Sequence, residues 1–110
     1  QQGEKAAARN HLQWVADSAP DPTIRELARL RLGRLLLDLA DLDALQALLA
    51  TPASDAFAGE FAELRGDLAL ARGDQTAARE AYQEALAKGV EDASLLRMKL
   101  VDVGGENAAS

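Results

Sequence analysis

The chain has 110 residues, 48% of them apolar and only 4% aromatic, with 18 acids against 12 bases for a formal charge of −6. That length holds one domain of about five or six helices. The acidic balance excludes a nucleic-acid partner, which needs a basic stripe, and the absence of cysteine removes disulfides, thiolate metal sites and cysteine nucleophiles together.

Ala and Leu dominate and proline is confined to Pro20, Pro22 and Pro52, so local propensity favours helix nearly everywhere. The first helix is predicted over about Glu4 to Ser18, with Ala8, Leu12, Val15 and Ala16 as its apolar stripe. Ala19-Pro20-Asp21-Pro22 stops it. Asp21 or Thr23 then caps a second helix reaching about Leu39, with Pro22 in its tolerant first turn. Ile24, Leu27, Leu30, Leu35, Leu36 and Leu37 spread over more than one of its faces, which predicts a helix sandwiched between neighbours.

Asp41 caps a short third helix to about Ala50, carrying Leu42, Leu45, Leu48 and Leu49 on one side, and Thr51-Pro52-Ala53-Ser54 ends it. The fourth, about Asp55 to Ala71, has Phe57, Phe61, Leu64 and Leu68 at helical spacing, and Gly73 supplies its left-handed cap. Asp74 opens the fifth, about Gln75 to Lys88, with Ala78, Ala81, Tyr82, Ala85 and Leu86 on one face. A sixth is predicted over about Ala93 to Val103, followed by a disordered tail, 104–110.

The helices obey a repeat. Leu32-Gly33 leads to Ala40-Asp41, and 33 residues later Arg65-Gly66 leads to Gly73-Asp74. A mid-helix glycine admits a close neighbour, and the Ala-Asp or Gly-Asp pair ends one helix and caps the next. A helical hairpin written twice is the mark of a stacked array whose units need one another to bury their apolar faces. The opening Gln1-Gln2-Gly3 lacks an initiator Met, and Glu4 to Ala16 reads as the second half of a hairpin, so a piece of a longer chain is expected.

Gly66, Gly73-Asp74, Ala78, Tyr82 and Ala85-Leu86 together resemble the tetratricopeptide repeat, a helix-turn-helix unit. Gly33, Asp41, Leu45 and Leu49 form a weaker copy, and Gly3, Ala8, Leu12, Val15 and Pro20 resemble the second helix of an earlier one. Arg29 and Ala62 stand where the first helix usually carries a large residue, and Arg65 where Leu is common, which marks a divergent subfamily. The string from Ile24 to Leu32, the Leu64-Arg65-Gly66-Asp67 turn and the closing Leu95-Leu96-Arg97-Met98-Lys99-Leu100 resemble the YfgM-type ancillary subunits of the Sec translocon. That resemblance implies an all-α tetratricopeptide-type solenoid with a C-terminal capping helix and no catalytic activity. It also implies a transmembrane helix outside this chain, a place at the periplasmic face of the bacterial inner membrane, and Sec translocon subunits, periplasmic chaperones or unfolded secreted polypeptide as partners.

In such repeats the first helix of each pair lines the concave face. The register assigns to that face Leu27, Leu30, Arg34, Leu37 and Asp38 on the second helix, Glu60, Glu63, Asp67 and Leu70 on the fourth, and Leu96, Leu100 and Val103 on the sixth. A groove apolar at both ends and acidic between would suit an amphipathic or unfolded segment of some basic character. The bland alternative is that these leucines pack on a missing helix, on a second copy or on each other, and self-association as a structural module is the competing function.

Nothing in the sequence assembles chemistry. Asp38, Asp41 and Asp43 lie at a helix junction where capping accounts for them, and a calcium loop needs more ligands and a central glycine. His11 is the single imidazole, and Glu60 with Glu63 is a common surface spacing. Neither a metal nor another cofactor is expected. Trp14 reads either as a half-buried core edge or as an exposed anchor.

Overall fold

The computed structural model describes residues 2–104, with the side chain of Gln2 left aside. Its helices are α1 (Gln2–Ser18), α2 (Pro22–Asp38), α3 (Leu42–Leu49), α4 (Ala58–Ala71), α5 (Gln75–Lys88) and α6 (Ala93–Asp102), and no strand occurs among the described residues. The all-α repeat reading holds. A short 3₁₀ turn, Asp55–Phe57, stands where the sequence predicts the first turn of α4. The tail expected to be disordered lies, beyond Gly104, outside the described residues. The chain divides into two compact units, Gln1–Thr51 and Pro52–Ser110.

In the first unit α2 packs against both α1 and α3. Asp21 is the N-cap of α2, its carboxylate accepting from Thr23 N at 2.8 Å, and Pro22 sits in the first turn. Arg25 turns back to donate to the carbonyls of Ala19 and Pro20, covering acceptors that the end of α1 leaves open. Leu30, Leu32, Leu36 and Leu45 supply the large buried side chains, with Ala28 beside them. Lys5 and Arg9 of α1 reach Asp38 and Asp41 at 2.6 and 2.9 Å, tying the hairpin together on its wet side.

The turn between α2 and α3 recurs between α4 and α5. Asp41 N donates to Leu36 O at 2.9 Å and Ala40 N to Leu37 O at 3.0 Å; Asp74 N donates to Ala69 O and Gly73 N to Leu70 O at 2.9 and 3.0 Å. These are the paired bonds of a Schellman ending. Each Asp then caps the next helix, Asp41 at Ala44 N (3.2 Å) and Asp74 at Ala77 N (3.0 Å). Asp92 does the same for α6 at Leu95 N (3.0 Å).

The second unit centres on Tyr82, wholly buried with Ala62, Ala78, Ala85, Leu96, Leu100 and Val103. Two glycines of α4 set how closely its neighbours lie. A Cβ on Gly66 would stand 2.4 Å from the Tyr82 ring, and one on Gly59 would fall on the carbonyl oxygen of Gly89. The corner leading into α6 is pinned beside that contact, where Glu91 N donates to the Glu60 carboxylate at 3.0 Å. Arg79 Nε donates to Val103 O at 3.2 Å, placing a cation at the C-terminal end of α6.

Candidate protein-binding site

On α2 the residues assigned to the concave face divide. Arg34 is exposed, Leu27 and Leu37 are half-buried, and Leu30 is buried with the core at 2% exposure. Asp38 is exposed and paired with Lys5. The open row of this helix is Ile24, Leu27, Arg31, Arg34 and Asp38, which at 100° per residue falls within one narrow arc. Ile24 is 50% exposed. Sequence reading missed Ile24 and Arg31 and placed the buried Leu30 on this face; the arc itself was available from the spacing.

On α4 the expected acidic middle is present, but each acid is engaged within the unit. Glu60 accepts from Glu91 N, Glu63 binds Lys99 Nζ at 2.7 Å, and Asp67 binds the same ammonium at 3.1 Å. The Tyr82 hydroxyl donates to Asp67 at 2.6 Å, and Lys99 Nζ lies 5.9 Å from the centre of the Tyr82 ring. Burial pushes the Tyr82 phenol well above its ordinary 10.0, and the bond to Asp67 adds to that. Burial alone would lower Lys99; its bond to Glu63 and the charge of Asp67 outweigh it, so the ammonium titrates above its ordinary 10.5. The four side chains form a cross-link between α4, α5 and α6 rather than a free anionic surface. Leu70, by contrast, is exposed.

The assignment on α6 is corrected. Leu96, Leu100 and Val103 are core residues, the two leucines with no exposed surface and the valine with 2%. The outward row is Leu95, Met98 and Val101. The physical reason is the cap: with Asp92 fixed at the N-terminus and Lys99 drawn onto Glu63 and Asp67, the helix turns Leu96 and Leu100 toward Tyr82 and Ala78.

Other residues singled out by sequence have structural roles. Asp41 is held below the usual carboxylate range by the Ala44 N–H it caps and by Arg9. Trp14 is 65% exposed, with His11 stacked on it at 6.4 Å between ring centres. Within the first unit a cleft of about 410 Å³ opens among α1, α2 and α3, floored by Leu32 and Leu36 and rimmed by Arg9, Gln13 and Asp17. α3, which lends Ala44, Ala47 and Leu48 to the cleft wall, has 8 residues where α5 has 14. No described helix is long and apolar enough to cross a membrane.

Comparison with known proteins agrees with this architecture. Residues 1–105 match the tetratricopeptide repeat-like domain family. The chain is similar to the ancillary SecYEG translocon subunit of Neisseria gonorrhoeae, 38% identical over 96 residues, covering 84% of this chain and 46% of that protein. The subunit of the same name from Escherichia coli is 33% identical over 99 residues, 88% and 47% of the two chains, and that from Haemophilus influenzae 27% identical over 96 residues, 86% and 47%. The chain thus spans about half the length of the curated relatives it matches. No solved structure matches it.

Proposed function

We propose, from the premise that the chain belongs to the tetratricopeptide repeat-like domain family, that it is a non-enzymatic protein-binding module of an ancillary Sec translocon subunit. Its partners would be channel components, with periplasmic chaperones or emerging unfolded polypeptide as clients. Its place would be the periplasmic face of the inner membrane, held there by a segment outside these residues. The names of three relatives support the translocon part of this reading. Partner capture would use the preformed face of the first helix in a repeat, whose rigidity lowers the ordering cost of binding.

The observation that carries the binding role is the open row of α2. Ile24, Leu27, Arg31 and Arg34 present apolar and cationic groups side by side on a helix fixed by its Asp21 cap and by packing on both sides. The paired carboxylates of α4 serve structure instead, so the proposal assigns them no acid–base chemistry.

In-cell photo-crosslinking tests it, with the probe at Leu27 or Arg34 and, as control, at Gln83 on the exposed side of α5. Crosslinks to Sec channel subunits or secreted chains from the α2 positions alone are expected. Equal products from Gln83, or none from α2, would overturn the assignment of this face.

A further inference from the structure

The outer side of α6 is apolar. Leu95 is 45%, Met98 65% and Val101 50% exposed. Met98 and Val101, together with Arg97 and Asp102, line a shallow depression of about 340 Å³.

Aligning α6 on α4 by core residues identifies the kind of surface this is. The buried pair Leu96 and Leu100 corresponds to the buried pair Ala62 and Gly66, a displacement of 34 residues, so Leu95 corresponds to Phe61 and Met98 to Leu64. On α4 that row is buried, Phe61 at 1% and Leu64 at 2% exposure. The row is therefore a helix-packing row, and on α6 it stays open to solvent.

The charges at its edges specify what fits. With Met98 and Val101 at positions a and d of a heptad, Arg97 falls at g and Asp102 at e. Both are exposed, and neither has an ion-pair partner among the described residues. In two parallel helices a g residue meets the e residue five places on in the other helix, so Arg97 and Asp102 would pair twice across a Met98–Val101 seam. An antiparallel pair would set Arg97 against Arg97.

We propose that α6 is a self-association face on which two copies of this chain pair their α6 helices in parallel about a two-fold axis. This goes beyond the translocon reading and does not depend on it. Ser94 and Gly104 bound the seam, which leaves a contact well below the ~1,200 Å² of a standard interface. The dimer is accordingly at the weak, transient end of specific interfaces.

Sedimentation velocity of the 110-residue chain, from about 10 μM to about 1 mM, should show a monomer–dimer equilibrium in that range. Arg97→Asp sets acid against acid at both contacts and Asp102→Arg sets base against base, so each variant alone should remain monomeric. Mixed in equal amounts they should form a heterodimer, and the double variant should dimerise again. Both positions are exposed, and circular dichroism verifies that helix content is kept. If either variant loses it, Met98→Glu, expected to be monomeric, decides in its place. A parent chain monomeric at 1 mM, single variants that dimerise unchanged, or a mixture that stays monomeric would overturn the proposal.

Discussion

Ala40 and Gly73 hold the same place in two copies of one turn, both in the left-handed region with φ of 59° and 84°. Among the described residues Ala40 is the only non-glycine with positive φ. An L side chain there costs roughly 1–2 kcal/mol, part of which a glycine would return through a more flexible unfolded chain. Ala40→Gly should therefore stabilise the first unit by about 0.5–1 kcal/mol, and Gly73→Ala should destabilise the second by a similar amount. Urea titration of both variants checks the pair, and a loss of stability in Ala40→Gly would contradict the strain.

Gly66 sits mid-helix, where alanine is normally better by up to about 1 kcal/mol. Its neighbour reverses the sign. A Cβ at 2.4 Å from the fully buried Tyr82 ring has nowhere to go. Gly66→Ala should destabilise by about 1–3 kcal/mol, and the displaced ring should weaken its bond to Asp67. Near-ultraviolet dichroism would report the ring's altered surroundings together with a lowered urea midpoint.

The Lys99–Glu63–Asp67–Tyr82 cluster makes stability fall at alkaline pH. Lys99 titrates higher in the folded chain than its ordinary 10.5, so its contribution is full below that value and is lost as pH rises through the folded pKa. Tyr82 keeps its proton when folded but ionises near 10.0 when unfolded, so it too favours unfolding above about pH 10. The urea midpoint should stay level from pH 7 to about 9.5 and decline beyond. Tyr82→Phe should lower stability at neutral pH by about 1.5–3 kcal/mol and make the alkaline decline shallower.

The register of α6 is tested by two leucine-sized side chains two residues apart. Leu96→Ala empties a fully buried position and should cost about 2–5 kcal/mol. Met98→Ala, at 65% exposure, should stay within about 0.5 kcal/mol. Thermal melts of the two variants at low concentration give the comparison directly.

The hairpin grammar was legible in the sequence because it is local. Asp21, Asp41, Asp74 and Asp92 each satisfy a backbone N–H two or three residues away, so a carboxylate beside a stop signal is enough to place a helix start. The Gly-Asp and Ala-Asp turns carried their own evidence in the same way. Side-chain direction was harder. Leu95 and Leu96 are chemically identical, and which one is buried is set by partners far off in sequence: Lys99 reaches residues 32 and 36 positions earlier, and Leu96 joins the cluster around Tyr82. The acids of α4 were placed on the intended helix, but their partners come from α5 and α6, and no pattern within α4 announces that.

In both units the extensive helix-to-helix packing joins elements that follow one another along the chain, α1 with α2, α2 with α3, α4 with α5 and α5 with α6. The side-chain bond of Lys99 to Glu63 closes only 36 residues. A topology this local is the kind that forms in microseconds to milliseconds, because little loop entropy is lost before contacts reward it. Each hairpin can therefore take shape as soon as its own residues are free to move, with no wait for the far end of the polypeptide.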